Sequence, residues 1–367
     1  MTERSPTIAG AALADPYRPV GLNGVPYKLM SAFEGVLPIA GNVDASMTPV
    51  QRALVAARTF HPRRERWREH LYKNALAHRF ESSNSGRRLR ALDTQPDLVI
   101  QFFGLFRTEG VPYVVYTDWT HHLSRVHWPE WSPFGERELE RWYALERRLY
   151  TGAAHMFPWS PIVAEDLVSF YGVPPERVTT VGVGANFEPV QVDRRRELEP
   201  VVLFVAREWR RKGGDVLVEA MRTVRERIPD ARLRVVGMEG VAPEPGLELL
   251  GRVEDRAEIA RLYAEAAVFC LPSRVEPFGL SAWEAMAHAV PCVLSGVGGM
   301  VEAVEDGRTA LVVPPGDAEA LAAALLRLLE DRELAARVGE EGRRYVASVV
   351  NWDRVVRDMT RVIRTLG

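Results

Sequence analysis

Two glutamates eight positions apart carry the clearest chemical suggestion in this chain: Glu276-Pro277-Phe278-Gly279-Leu280-Ser281-Ala282-Trp283-Glu284. Ionised carboxylates accept hydrogen bonds from hydroxyl groups, so a pair at this spacing suits a polyol. Pro277 and Gly279 punctuate a loop, while Leu280, Trp283 and Met286 begin a helical periodicity. Glu276 therefore precedes the helix and Glu284 lies about two turns further along, where each can grip a different sugar ring. Upstream, Arg207 follows an apolar run at 201–205, and Lys212 comes five positions later beside Gly213 and Gly214. An arginine fork and a lysine point charge at a strand end can neutralise a diphosphate. Downstream, the run 291–295 leads into Gly296-Val297-Gly298-Gly299, where backbone N–H groups near Gly298, Gly299 and Met300 can approach a phosphate. Each feature also has an ordinary structural reading, since carboxylates at this spacing occur on solvated helices and cations are common in loops.

These side chains need a scaffold, and the rest of the chain describes one. Short apolar runs alternate with longer polar segments, the rhythm of parallel sheets with crossover helices. In the first half strands are expected at 7–12, 36–40, 98–102, 113–117, 155–159 and 178–183. In the second half they are expected at 201–205, 233–237, 249–253, 267–271 and 291–295. Ligands of such sheets gather beyond the carboxyl ends of the strands. Gly24, ahead of a helix at 27–34, is thus a candidate for close approach to a phosphate. Asp118, His121 and His122 follow the strand at 113–117, and Trp128 and Trp131 lie in an aromatic and proline-rich stretch suited to stacking on an acceptor or to packing on the sheet. Ser160 is a fitting N-cap with Pro161 at the first helical position, and Asp215 is the expected N-cap of a helix bearing Leu217, Ala220, Met221 and Val224 on one face.

Residues 51–90 are helical in pattern and rich in arginine, with Phe60, Trp67, Leu71, Tyr72 and Phe80 interleaved. Such a surface is either a solvated charged face or a weak peripheral contact with anionic lipid or an anionic acceptor.

At 367 residues and 41.2 kDa the chain has room for two domains. A net charge of -2 and a pI near 6.5 argue against a general nucleic-acid binder. No apolar run nears the roughly 18 residues of a membrane span, and the N-terminal stretch lacks a basic start leading into an apolar core, so a cytoplasmic location is expected. Cys270 and Cys292 each sit in an apolar run and read as buried reduced thiols. No Cys/His spacing or D-x-D pattern calls for a metal, and no cofactor is expected.

The Glu276-x7-Glu284 element, followed by Ser295-x-x-Gly298-Gly299-x-x-Glu302 and preceded by Arg207-x4-Lys212-Gly213, resembles the signature of family 4 retaining glycosyltransferases. The resemblance implies a GT-B fold: two Rossmann-like, doubly wound parallel-sheet α/β domains facing a deep interdomain cleft, with a C-terminal helix crossing back to the first. The implied boundaries are 1–187 for the acceptor-side domain, 188–198 for a linker, 199–348 for the nucleotide-sugar domain and 349–367 for the crossover helix.

It also implies a retaining, metal-independent hexosyltransferase that moves a sugar from a nucleoside diphosphate sugar to a glycan, lipid-linked or small-molecule acceptor. Arg207, Lys212, Gly298, Gly299, Met300 and Gly24 would hold the diphosphate. Glu276 with Phe278, Gly279 and Leu280 would hold the donor sugar, Glu284 the ribose, and Val253 would lie near the nucleobase. Glu276 is either the nucleophile or a sugar-positioning carboxylate. The chain departs from the family at Asp118, where a histidine is common; Asp118 then serves a sugar hydroxyl or the acceptor, with His121 or His122 supplying what is missing. It departs again at Gly21-Leu22-Asn23-Gly24, where a Gly-Gly pair is usual. A nucleotide-sugar 2-epimerase-like isomerase and a non-catalytic nucleotide-sugar-binding protein are the competing readings.

Overall fold

The computed structural model describes residues 5–14, 24–108, 110–132, 134–185, 198–302 and 304–366. The chain divides into two compact units, Met1–Asn186 with Trp352–Gly367, and Phe187–Asn351. Most of the expected linker, 188–197, and Gly21, Leu22 and Asn23 lie outside the described residues.

The first unit is built on five parallel strands, β1 (Ile8–Ala12), β2 (Ile39–Asp44), β3 (Leu98–Phe102), β4 (Tyr113–Thr117) and β5 (His155–Pro158), in the order β2-β1-β3-β4-β5. All five residues of β1 and of β3 are buried, Gln101 among them, as strands covered on both faces require. The covering helices are α1 (Val25–Phe33), α2 (Pro49–Arg58), α3 (Arg64–Tyr72), α4 (Ala75–Arg90), α5 (His121–His127), α6 (Glu136–Gly152) and α7 (Pro161–Ser169).

Two expected strands differ. The strand placed at 36–40 begins later, at Ile39, because the Val36 and Leu37 amides still donate to the Phe33 carbonyl at 2.9 and 3.2 Å and complete the end of α1. The segment 178–183 forms no strand. Its Thr179 and Val181 amides donate to Met156 and Pro158 of β5 at 3.0 Å each, but Pro158 has no N–H to return, and the ladder reduces to a single bridge between Met156 and Val178.

The second unit has six parallel strands, β6 (Val201–Val205), β7 (Arg232–Val236), β8 (Leu247–Leu249), β9 (Val268–Leu271), β10 (Cys292–Ser295) and β11 (Leu311–Val313), in the order β11-β10-β9-β6-β7-β8. Its helices are α8 (Gly214–Arg227), α9 (Arg256–Glu265), α10 (Leu280–Ala287), α11 (Gly298–Val301), α12 (Ala318–Glu330) and α13 (Arg332–Val349). The strand expected at 249–253 instead starts two residues earlier and ends at Leu249. Arg234 bonds Glu248 at 2.7 Å across the β7–β8 pair, which sets the register, and Leu249 is the last residue paired.

The last helix, α14 (Trp352–Leu366), belongs to the first unit. It buries Val355, Val356, Met359 and Ile363, and its Trp352 indole and Arg354 guanidinium donate to the Ala185 and Val181 carbonyls at 2.8 Å each. Both sheets are doubly wound and all parallel, as expected.

Candidate active site

In the second sheet the chain runs outward from β6 through β7 to β8, then returns to the other side of β6 to lay down β9, β10 and β11. The loops leaving β6 and β9 therefore part at a topological switch point, where a crevice forms at the strand carboxyl ends. Here they meet backbone to backbone. Gly213 has φ 75°, and a Cβ on it would fall 2.0 Å from the Pro272 carbonyl oxygen, so only glycine permits the approach. The Arg274 amide donates to the Arg211 carbonyl at 2.8 Å, and the Arg274 guanidinium bonds both oxygens of Asp215 at 2.7 and 2.8 Å. Asp215 is thus not the N-cap expected of it. The helix starts two residues earlier, with Gly213 in the left-handed region as its cap.

Glu276 sits at the centre of this junction, 4% exposed. One carboxylate oxygen accepts from the Gly279 amide at 3.0 Å; the other accepts from the Ser273 hydroxyl at 3.1 Å and from the Lys212 ammonium. Arg211 stands 4.0 Å from the same oxygen, while its Nη1 donates to the Val275 carbonyl at 2.9 Å and its Nε to Glu208 at 2.7 Å. Burial pushes the Glu276 carboxyl up, but the charges of Lys212 and Arg211 more than offset this, and it lies below its ordinary value. Burial in turn pulls the Lys212 ammonium down, against the attraction of Glu276.

Beyond β10, Gly298 has φ 58° and its missing Cβ would sit 2.0 Å from the Glu276 carbonyl oxygen. This glycine lets the β10 loop press against the β9 loop and brings the first amides of α11 beside the Glu276 segment. Gly279, left-handed at φ 78°, caps α10 and packs on the Met300 side chain. Phe278 is buried, its carbonyl accepting from the Trp283 indole at 2.8 Å. Leu280 opens α10, and Glu284 follows one turn on, accepting from the Tyr263 hydroxyl at 3.0 Å with Arg256 3.7 Å away. Burial raises the Glu284 carboxyl above its ordinary value despite both partners.

Arg207 is exposed just past the end of β6, and Val253 is half-buried in the loop between β8 and α9. Arg207, Lys212, Glu276, Phe278, Gly279, Leu280, Glu284, Gly298, Gly299, Met300 and Val253 thus all belong to the second unit. Reasoning from the sequence passed over Arg211, Ser273 and Tyr263. The run Arg210-Arg211-Lys212 and a serine two residues past a buried strand were the available signals.

The remaining candidates lie in the first unit. Gly24 caps α1 with φ 72°. Asp118 is half-buried immediately after β4. His121 is buried, 3.1 Å from the Ser132 hydroxyl and packed by Phe134, Trp142 and Tyr143; burial holds its ring down to about 3. His122 bonds Asp166 at 2.5 Å and stacks on Phe170 at 3.6 Å. Both imidazoles are thereby engaged inside the unit. Trp128 caps the end of α5, and the Trp131 carbonyl accepts from Lys73 at 2.6 Å. The Ser160 hydroxyl caps nothing, although Ser160 does precede Pro161 and α7.

Residues 199–331, which carry the whole Glu276 junction, match the family described as Glycosyl transferases group 1. The second unit is a glycosyl transferases group 1 domain. The chain is 36% identical over 205 residues to the D-inositol 3-phosphate glycosyltransferase of Corynebacterium glutamicum (strain R), covering 48% of this chain and 49% of that protein. The chain spans about half the length of the first such curated relatives it matches. Across nearly its full length it superposes on the sucrose-phosphate synthase of Thermosynechococcus elongatus, with a TM-score of 0.72 and 22% identity over 98% of this chain and 99% of the other. It also superposes on HepE of Anabaena in complex with UDP, with a TM-score of 0.65 and 16% identity over 98% and 100%. At these identities the likeness is one of fold, and the fold is GT-B.

Proposed function

We propose that the chain is a retaining, metal-independent glycosyltransferase that moves a hexose from a nucleoside diphosphate sugar to a hydroxyl of a small phosphorylated polyol or sugar. The observation that carries this is the buried Lys212–Glu276 pair, braced by Arg211 at the β6/β9 switch point of a group 1 domain. Arg207, exposed at the strand end, neutralises the diphosphate together with the amides of Gly298, Gly299 and Met300. Lys212 already faces a carboxylate, so it acts nearer the donor sugar. Glu284 receives the ribose hydroxyls, held in place by Tyr263.

In the transfer the acceptor oxygen bonds to the anomeric carbon, the bond to the diphosphate oxygen breaks, and the acceptor proton passes to that leaving oxygen on the same face. Glu276 is tied by three donors, which fits holding and orienting sugar hydroxyls rather than attacking carbon. The names of D-inositol 3-phosphate glycosyltransferase and sucrose-phosphate synthase support a phosphorylated polyol or sugar on the acceptor side.

The test is a thermal-shift panel of UDP, GDP, ADP and TDP and their hexose conjugates on wild type and on Arg207→Ala. Because Arg207 is exposed, the variant should melt like wild type without ligand. A shift with one nucleotide, reduced in the variant, supports the reading, since a ligand bound to the folded state raises apparent stability. No shift with any of them at millimolar ligand overturns it.

A further inference from the structure

The helical stretch at residues 49–72 has two faces, and the apolar one that points outward is not the one its sequence advertises. α2 is capped by a reciprocal Thr48–Gln51 box and sets Val55, 0% exposed, into a small core with Met47 and Ala77. Trp67 is committed inward through its indole bond to the Ala56 carbonyl at 2.9 Å, and Leu71 and Phe80 pack on the same core. What remains outside is Val50, 80% exposed, and Leu54, 49% exposed, one turn apart on α2, then Phe60, 70% exposed, just past its end. Of the eight large hydrophobics exposed among the described residues, four (these three and Tyr72) fall between positions 50 and 72. Chance scatter over the chain would not concentrate them there.

The same stretch carries six arginines, Arg52, Arg58, Arg63, Arg64, Arg66 and Arg68, against Glu65 and Glu69. All six are exposed, and Glu69 is engaged by Lys73 at 2.7 Å. Arg58 continues the row of Val50 and Leu54 along α2.

We propose that α2, the turn after it and the start of α3 form a docking surface for an anionic lipid bilayer, with Val50, Leu54 and Phe60 entering the headgroup–acyl boundary and the arginines pairing with lipid phosphates. A guanidinium fork matches a phosphate, and each cation near an anionic surface contributes about 1 kcal/mol. Three protruding side chains fall short of the roughly 800 Å² per partner that a stable protein contact needs, but they suffice to seat a helix shallowly in a membrane already attracting its charge. No helix among the described residues is long and apolar enough to cross a membrane, so the contact is peripheral. The inference stands apart from the transferase reading and tests separately.

The experiment is co-sedimentation of the full chain with phosphatidylcholine vesicles, with and without phosphatidylglycerol, at low and high salt, alongside Leu54→Asp/Phe60→Asp and Arg58→Glu/Arg64→Glu. Wild type should bind only the anionic vesicles, more weakly at high salt, and each double variant should lose about tenfold or more in affinity while keeping the wild-type melting temperature. Wild type that ignores anionic vesicles at low salt, or variants that bind them equally well, overturns the proposal. A concentration-dependent dimer lost in Leu54→Asp/Phe60→Asp, with no vesicle binding, would assign the face to a second copy instead.

Discussion

Lys212 and Glu276, 64 positions apart, form an ion pair at the meeting of the β6 and β9 loops, with both side chains largely out of water. Removing water costs each ion several kcal/mol, and for each the other returns the largest share, with Arg211 and the Ser273 and Gly279 donors adding to the support of Glu276.

Breaking this pair from one side should therefore cost about 3–5 kcal/mol of unfolding free energy, whether by Lys212→Met or Glu276→Leu, while Lys212→Met/Glu276→Leu should recover most of it. A double-mutant cycle by denaturant unfolding checks this. Glu276 lies below its ordinary 4.5 in the folded chain, so its contribution is present above that value and lost as pH falls through the lower, folded one. The acid limb of the stability profile should flatten in the double variant.

Glu276 and Glu284 should separate kinetically. With the nucleotide sugar selected by the thermal-shift panel, Glu276→Gln should lower kcat by about a hundredfold or more, and Glu284→Gln or Tyr263→Phe should mainly raise the donor KM. Near-normal kinetics for Glu276→Gln and Glu284→Gln alike would remove both roles.

Gly298→Ala and Gly240→Ala make a matched comparison. Both glycines are left-handed, at φ 58° and 71°, but a Cβ at Gly298 meets the Glu276 carbonyl oxygen at 2.0 Å whereas nothing lies within 4 Å of one at Gly240. Gly240→Ala should cost about 1–2 kcal/mol from backbone strain alone. Gly298→Ala should cost clearly more and displace the Glu276 loop, read as a larger loss of melting temperature and of nucleotide binding.

Glu81 offers a pH test in the first unit. It is 4% exposed on α4, and burial pushes its carboxyl from 4.5 up to about 8. A folded value above the unfolded one means that the stability it contributes is fully present below pH 4.5 and is drained as pH rises through about 8. Glu81→Gln should remove that decline, gaining about 2–4 kcal/mol over wild type near pH 9 relative to pH 4. Parallel profiles for the two proteins would contradict it.

Much of the fold was legible because its signals are local. Apolar runs such as 98–102 and 201–205 are strands in the structure at those positions, and the loop-to-helix change across Pro277 and Gly279 is where α10 begins. The errors arose where a distant partner decided. The register of β8 and the missing ladder at 178–183 depend on Arg234 and Pro158, neither of them a neighbour in sequence of the segment it controls, and the start of β2 was delayed by the last turn of the helix before it. Asp215 looked like a cap by position, and Arg274 claimed it from 59 residues away.

From the sequence alone came the residue types and the spacing: which chemistry the chain can perform, and the alternation that makes its sheets parallel. Only the tertiary structure decided which charges face one another. Strand order is set by long-range pairing, and it is the return of β9 to the flank of β6 that brings Lys212, Arg211 and Ser273 around one carboxylate. It likewise turned Trp67 inward and left Val50, Leu54 and Phe60 outside, because one small core can accept only one face of α2 and α3.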